Sequence, residues 1–261
     1  MNYPSDVTDS QWKIIEPLLN PKGKSGPKFS NLRSTFNALC YQLRTGCMWR
    51  YIPKEYGDNE AIWSQFRRWR DNGVWAEVLA ALHPKARCRK GRKTPFASMV
   101  VIDPSLVRGA SNGGPTFHTQ GGPFGATNGA KLVIAVDTTG LPLAGLSVPS
   151  NTADGQCAQL LLEHMQELGL SDNLQCVKVD RGIKPATAER LSVKFGLQVQ
   201  IYGGDGPAGV FKPIPQAWKV EVAHGALGRY RRLAKSFEKT TASSTAWLQL
   251  AAIGMVLKAL S

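Results

Sequence analysis

Three short apolar runs each stop on an aspartate: Ser98-Met-Val-Val-Ile-Asp103, Ala130-Lys-Leu-Val-Ile-Ala-Val-Asp137 and Cys176-Val-Lys-Val-Asp180. Runs this short, rich in Val and Ile and bounded by turn residues, read as buried strands. Leu141 to Val148 makes a fourth, joined to the second across Thr138-Thr139-Gly140 as a hairpin. Asp154 is placed to cap a helix over about 155–168 that carries Leu160, Leu161, Leu162 and Met165. A helix from Pro185 to Phe195, a strand from Leu197 to Tyr202 and two closing helical stretches, about 216–235 and 243–260, complete the pattern. Three strands in hairpin order, then helix, strand, helix, strand predict an α/β fold, a mixed sheet with helices packed on it. The order matches a ribonuclease-H-like domain, and order alone leaves other mixed α/β folds open. Residues 109–130 hold seven glycines and read as a loop.

Ahead of these strands the periodicity is helical. Thr8 followed by Gln11 is a capping-box pattern, and Trp12, Ile15 and Leu18 recur behind it at helical spacing. Leu32, Phe36, Leu39 and Leu43 form a second stripe, ended by Gly46. A third helix is expected over about 60–72, with Ile62, Trp63, Phe66 and Trp69 inward and Ser64, Gln65, Arg67, Arg68 and Arg70 outward. Aromatic anchors inside and Arg or Gln donors outside make an all-α, helix-turn-helix-like unit with a recognition helix. A solvated basic face has the same periodicity. A short fourth helix, Val74 to Leu82, closes the bundle. Gly23-Lys24-Ser25 is no phosphate-binding loop, because the glycine such a loop needs five residues earlier is Leu18.

Charge divides the chain in the same place. Residues 1–95 hold 17 basic and 8 acidic side chains, and residues 96–261 hold 15 and 11, within an overall net charge of +13. A field of this sign attracts polyanions. Pro84-Lys-Ala-Arg-Cys-Arg-Lys-Gly-Arg-Lys93 packs Lys85, Arg87, Arg89, Lys90, Arg92 and Lys93 into ten positions, which reads as a linker able to lie along a DNA backbone. The expected organisation is therefore a helical DNA-binding unit over 1–83, a basic linker over 84–97 and an α/β unit over 98–261. Five cysteines without a C-x-x-C pair predict reduced thiols, neither a disulfide framework nor a zinc site. The N-terminus has no basic and apolar leader pattern, and no apolar run is judged to reach the ~20 residues of a membrane span.

The chemistry turns on carboxylates. A strand-end carboxylate stands beyond much of its sheet's apolar shielding and can converge with others on a hydrated cation. Asp103 and Asp180 are so placed, and Glu221 lies on the first closing helix. Hard divalent cations take oxygen ligands, and a pair of them can clamp an in-line displacement at phosphorus. Strand-end aspartates also cap turns, the reading given to Asp137, and Asp154 reads as a cap.

Several strings resemble bacterial insertion-sequence transposases with a DDE triad, of the insertion-sequence-five type. Leu43-Arg-Thr-Gly-Cys-Met-Trp-Arg-Tyr-Ile-Pro53, Phe66-Arg-Arg-Trp69 and Gly73-Val-Trp75 are similar to that family's N-terminal helical domain. Val136-Asp-Thr-Thr-Gly-Leu141 resembles its central hairpin. Trp218-x-x-Glu221, Gly228-Arg-Tyr-Arg-Arg-Leu233 and Lys235-Ser-Phe-Glu238 resemble its C-terminal block. The resemblance implies a ribonuclease-H-like domain in which Asp103, Asp180 and Glu221 hold Mg²⁺, with Mn²⁺ as a substitute. It implies cleavage of double-stranded DNA at terminal inverted repeats, transfer of the 3′ ends to target DNA, and a homodimer or higher oligomer on DNA. The setting it implies is the bacterial cytoplasm and its nucleoid, with no membrane. Arg229, Arg231 and Arg232 would join the DNA-binding set. The alternative is a catalytically inactive, transposase-derived DNA-binding protein. Departures from the family pattern are Pro104-Ser105 after the first Asp, Arg181-Gly182-Ile183 after the second, and Val222, His224 and Gly225 after the Glu, where an Arg and an aromatic pair are usual. Glu238 lies further along than the family's Glu.

Overall fold

The strands that these apolar runs form are β1 (Met99–Arg108), β2 (His118–Thr119), β3 (Thr127–Asp137), β4 (Pro142–Pro149), β5 (Cys176–Asp180) and β6 (Gln198–Tyr202). The computed structural model describes residues 3–19, 31–110, 118–119, 127–202 and 218–261. The loops expected at 20–28 and across most of 109–130, and the first residues of the closing helix expected from 216, lie outside the described residues. The main sheet runs β4–β3–β1–β5–β6, with the short β2 also paired to β3. β3 is antiparallel to both β1 and β4, whereas β1, β5 and β6 are mutually parallel. The mixed α/β expectation holds.

Period-two alternation assigns each strand residue to one of two cores. Val100, Ile102, Val133, Ala135, Val177 and Val179 face a core built with α5 (Asp154–Glu167) and α6 (Pro185–Phe195). Val101, Leu132, Ile134 and Val136 face the other way. There they meet α7 (Trp218–Leu227), α9 (Thr241–Leu260) and, in the same cluster, the front helices α1 (Asp9–Leu19), α2 (Leu32–Thr45), α3 (Asn59–Asp71) and α4 (Val74–Arg89). Helices thus cover both faces, and the front bundle shares one apolar core with the sheet. Trp247 of α9 makes the joint: its ring stacks on Phe66 at 4.6 Å and lies 5.8 Å from Trp49.

Four local expectations change. α4 does not stop at Leu82. It continues through Pro84 to Arg89, because Leu79, Leu82, His83, Ala86 and Arg87 keep one buried face. The first part of the expected linker is therefore packed helix. β1 runs five residues beyond Asp103, since β3 continues to pair with it as far as Arg108. The closing helix breaks at Gly228, leaving α8 (Arg231–Ala234) as a separate turn. Finally, α9 is long and apolar enough to cross a membrane by length and composition, with a mean hydropathy of 1.2, contrary to the reading that no such run exists. Here it is a core helix, with Ala246 to Ile253 buried between the sheet and the bundle.

Candidate active site

Asp103 and Asp180 become neighbours through strand register. The parallel pairing of β1 with β5 ends at Ile102 and Val179, so the next residue on each strand is one of the two acids. Adjacent strands lie about 4.8 Å apart. Alternation also gives the two acids a common face: Asp103 follows Val101, on the α7–α9 side, and Asp180 follows Val179, which faces α5 and α6. A proline directly after Asp103 is tolerated because β5 no longer pairs there and asks no N–H of it.

α7 docks on that same side through Val220, Ala223 and Leu227, and carries Glu221 and His224 one turn apart. Glu221 and Asp180 are exposed, and the Asp103 side chain is 26% exposed. Tyr202, opposite Asp180 on β6, packs at the margin of this core. Burial raises its phenol above the ordinary value, and the charges of Asp103, Asp180 and Glu221 raise it further. The His224 ring, 14% exposed, places Nε2 3.1 Å from the Asp103 carbonyl oxygen and 3.4 Å from its Oδ2. Among the described residues no group of three or more His, Cys, Asp or Glu side chains stands close enough to hold a metal ion. The donor set is nonetheless oxygen-rich, anionic and open to solvent, which is the chemistry a hard divalent cation selects.

Asp137 ends an equally apolar run and has a different fate. It is 1% exposed. Oδ1 accepts from the Thr139 amide (2.8 Å), the Thr139 hydroxyl (2.6 Å) and the Leu141 amide (3.1 Å), which closes the β3–β4 turn as expected of a turn residue. Oδ2 is paired with Arg87 and lies 3.5 Å from His83 Nε2, both on α4. Burial opposes its charge, yet His83 beside Oδ2, the hydrogen bonds from Thr139 and the Arg87 guanidinium hold its carboxyl well below the usual aspartate range. Sequence reading missed this clasp, although His83 and Arg87 at i and i+4 share one helix face, the available signal.

The basic residues separate into two groups. Gln65 is buried, 5% exposed, and so does not lie on the outer face of α3. The inward stripe is Ile62, Gln65, Phe66 and Trp69, at i, i+3, i+4 and i+7, and Trp63 falls off it to the surface at 41% exposed. Arg67 sits over the Trp63 ring at 4.7 Å. Arg70 donates to Ser243 on α9 and to Asp71, both at 2.7 Å. Arg232 is turned inward: Nε donates to Glu238 Oε1 at 2.8 Å, and the guanidinium lies 5.3 Å from the centre of the Trp247 ring. It holds the shared core rather than an outer surface, and Glu238 is committed to it. Lys90 and Arg92 donate to the Thr139 and Thr138 carbonyls at 3.1 and 3.3 Å, while Lys219 of α7 also donates to Thr138. Arg67, Arg68, Arg89, Lys93, Arg229 and Arg231 remain exposed.

Residues 7–79 match a family described as "Putative transposase of IS4/5 family (DUF4096)". Among curated proteins, an uncharacterized protein of Sinorhizobium fredii, y4sN, is 31% identical over 118 residues, covering 44% of this chain and 86% of that protein. An uncharacterized 16.2 kDa protein of insertion element IS402 from Burkholderia cepacia is 30% identical over 115 residues, covering 41% of this chain and 76% of that one. Among solved structures, the Mos1 mariner paired end complex with Mn is 10% identical, covering 92% of this chain and 79% of that chain at a TM-score of 0.34. The piggyBac synaptic complex with hairpin DNA is also 10% identical, covering 98% and 67% at 0.32. On the match to the family and to the insertion-element protein, the chain belongs to the IS4/5 family of insertion-sequence transposases.

Proposed function

We propose that the chain is a metal-dependent DNA transposase whose reacting site is Asp103, Asp180 and Glu221. The observation that carries this reading is that strand register sets Asp103 and Asp180 side by side on the sheet face against which α7, the helix carrying Glu221, docks. The strand order, with two antiparallel strands on one side of β1 and two parallel strands on the other, supports a ribonuclease-H-like sheet. Asp103, Asp180 and Glu221 would hold a divalent cation, Mg²⁺ or Mn²⁺. Bound there, the cation supplies Lewis-acid activation of an attacking oxygen and charge neutralisation on a phosphodiester.

The chain's own residues do the rest by position. Asp180 and Glu221 are exposed and leave room for a DNA strand to approach from solvent. Arg229 and Arg231, beyond the end of α7, are exposed to phosphates, as are Arg67, Arg89 and Lys93 on the front helices and the segment after them. Such contacts fix register on DNA without reading sequence. Hydrolysis of a phosphodiester at an element end, then attack of the freed 3′-hydroxyl on target DNA, needs no covalent intermediate on the protein. Two ends brought together imply at least two copies of the chain on DNA, at work in a bacterial cytoplasm.

The test uses a plasmid carrying the DNA that flanks the gene. With Mg²⁺, the wild-type chain is expected to nick at a boundary of inverted repeats, and Asp180→Asn is expected to bind the same DNA and leave it intact. Binding without nicking by the wild type defeats the catalytic reading in favour of an inactive DNA-binding descendant. Nicking that survives in Asp180→Asn removes the site assignment.

A further inference from the structure

The helix that carries Glu221 has to be held at a fixed height against the strand that carries Asp103. Its apolar contacts, Val220, Ala223 and Leu227, are non-directional and leave both rotation and sliding soft. A polar contact removes that freedom. Lys219 ties the start of α7 to the Thr138 carbonyl, just past the end of β3 that pairs with the start of β1. One turn after Glu221, His224 reaches β1 itself. Its Nε2 sits 3.1 Å from the backbone carbonyl of Asp103, the distance of a hydrogen bond in which the imidazole N–H donates. The same nitrogen lies 3.4 Å from the Asp103 carboxylate.

From this geometry we propose that His224 is a positioning residue of the reacting site: it clasps α7 to β1 and thereby sets the spacing of Glu221 from Asp103. The inference rests on the three-carboxylate reading above. A carbonyl is a fixed reference, because β1 is held on one side by β3 from Val100 to Arg108 and on the other by β5 up to Ile102. The imidazole therefore transmits the position of the sheet to the helix. By standing beside the Asp103 carboxylate it also narrows the orientations that group can take. Residues that orient the ligands of a cation in this way affect its affinity without touching it.

The experiment compares two substitutions of like size and different hydrogen bonding. His224→Phe fills the space and donates nothing, whereas His224→Gln keeps an N–H donor. Mn²⁺ affinity is read from the paramagnetic resonance of the free ion, beside plasmid nicking and thermal melting. His224→Phe is expected to weaken Mn²⁺ binding on the order of 10-fold and to lower kcat for nicking while KM for DNA stays put. His224→Gln is expected to recover most of both. Equal Mn²⁺ affinity in wild type and His224→Phe overturns the proposal, as does a His224→Gln protein that melts like wild type yet is as impaired as His224→Phe. Should His224→Phe fail to fold, His224→Ala against His224→Asn makes the same comparison. Asp103→Asn separates the two layers: if it leaves Mn²⁺ binding intact, the three-carboxylate site itself is wrong and the role of His224 falls with it.

Discussion

Asp137 and the pair Asp103–Asp180 follow near-identical apolar runs in the same sheet, yet stand in opposite chemical states. Asp137 spends both oxygens on partners inside the molecule: the turn that it closes and the α4 side chains that grip it. Asp103 and Asp180 keep carboxylate surface for something outside. A buried, fully partnered acid is a fastener, since its charge is satisfied and changing it breaks the fold. An exposed acid beside another acid adds no such satisfaction to the fold and is available for chemistry.

The sharpest way to break this contrast is at the fastener. Arg87→Ala leaves the Asp137 charge buried without its main counter-charge and is expected to cost about 3–5 kcal/mol of stability, read from urea unfolding. Asp103→Asn is expected to leave stability within about 0.5 kcal/mol. Its effect falls on rate instead: losing several kcal/mol of metal-borne stabilisation corresponds to about a 10³-fold drop in nicking. If Asp103→Asn unfolds the chain, or Arg87→Ala does not destabilise it, the two kinds of acid are not distinct.

Smaller effects sharpen the picture. A Cβ added at Gly129 would stand 2.1 Å from the Val107 carbonyl oxygen, inside the β1–β3 ladder that seats Asp103. Gly129→Ala is therefore expected to cost about 1–3 kcal/mol, measured by thermal melting. The depressed carboxyl of Asp137 contributes stability that is complete above the ordinary aspartate value of 3.8 and is withdrawn as pH falls below it toward the folded value. Stability between pH 4 and 2 should accordingly fall less steeply in Asp137→Asn than in wild type (urea midpoints at each pH). The smallest change is expected at Arg67, exposed over Trp63: Arg67→Ala should reduce the salt dependence of DNA binding by about one phosphate contact, with no shift in melting.

The parts of this structure that were legible in sequence are those with a short-range period. Strand alternation and the order of elements place the sheet, and even the ends of α6, Pro185 and Phe195, coincide with the expected ones. Where two phases of one period compete, sequence is ambiguous. On α3, Trp63 and Gln65 exchange places because the neighbouring stripe is completed by Phe66 and Trp69, and burying the polar Gln65 is the cost of that phase. Pro84 argued for a boundary, but a buried face on both sides of it carried α4 onward. The difference between Asp137 and Asp103 was half visible. A turn residue could be named, while the Arg87 that neutralises it lies 50 residues away in a run that reads as linker. Membership of one face follows from counting residues along strands, but the closeness of His224 to Asp103, 121 residues apart, is a fact of packing alone.

Trp247 belongs to the last helix of this sequence, and the rings it packs against, Trp49 and Phe66, belong to the first third. On a ribosome the front helices therefore emerge long before the surface that completes their core. Until α9 arrives their aromatic face is open to water and to other nascent chains, the condition under which chaperones bind and chains misassemble. A fragment ending near residue 95 is accordingly expected to keep helical circular dichroism but to lack a cooperative melt, and to regain one when a peptide spanning 241–260 is supplied. Every truncation that removes α9 thus unsettles the front helices as well as the sheet that α9 covers.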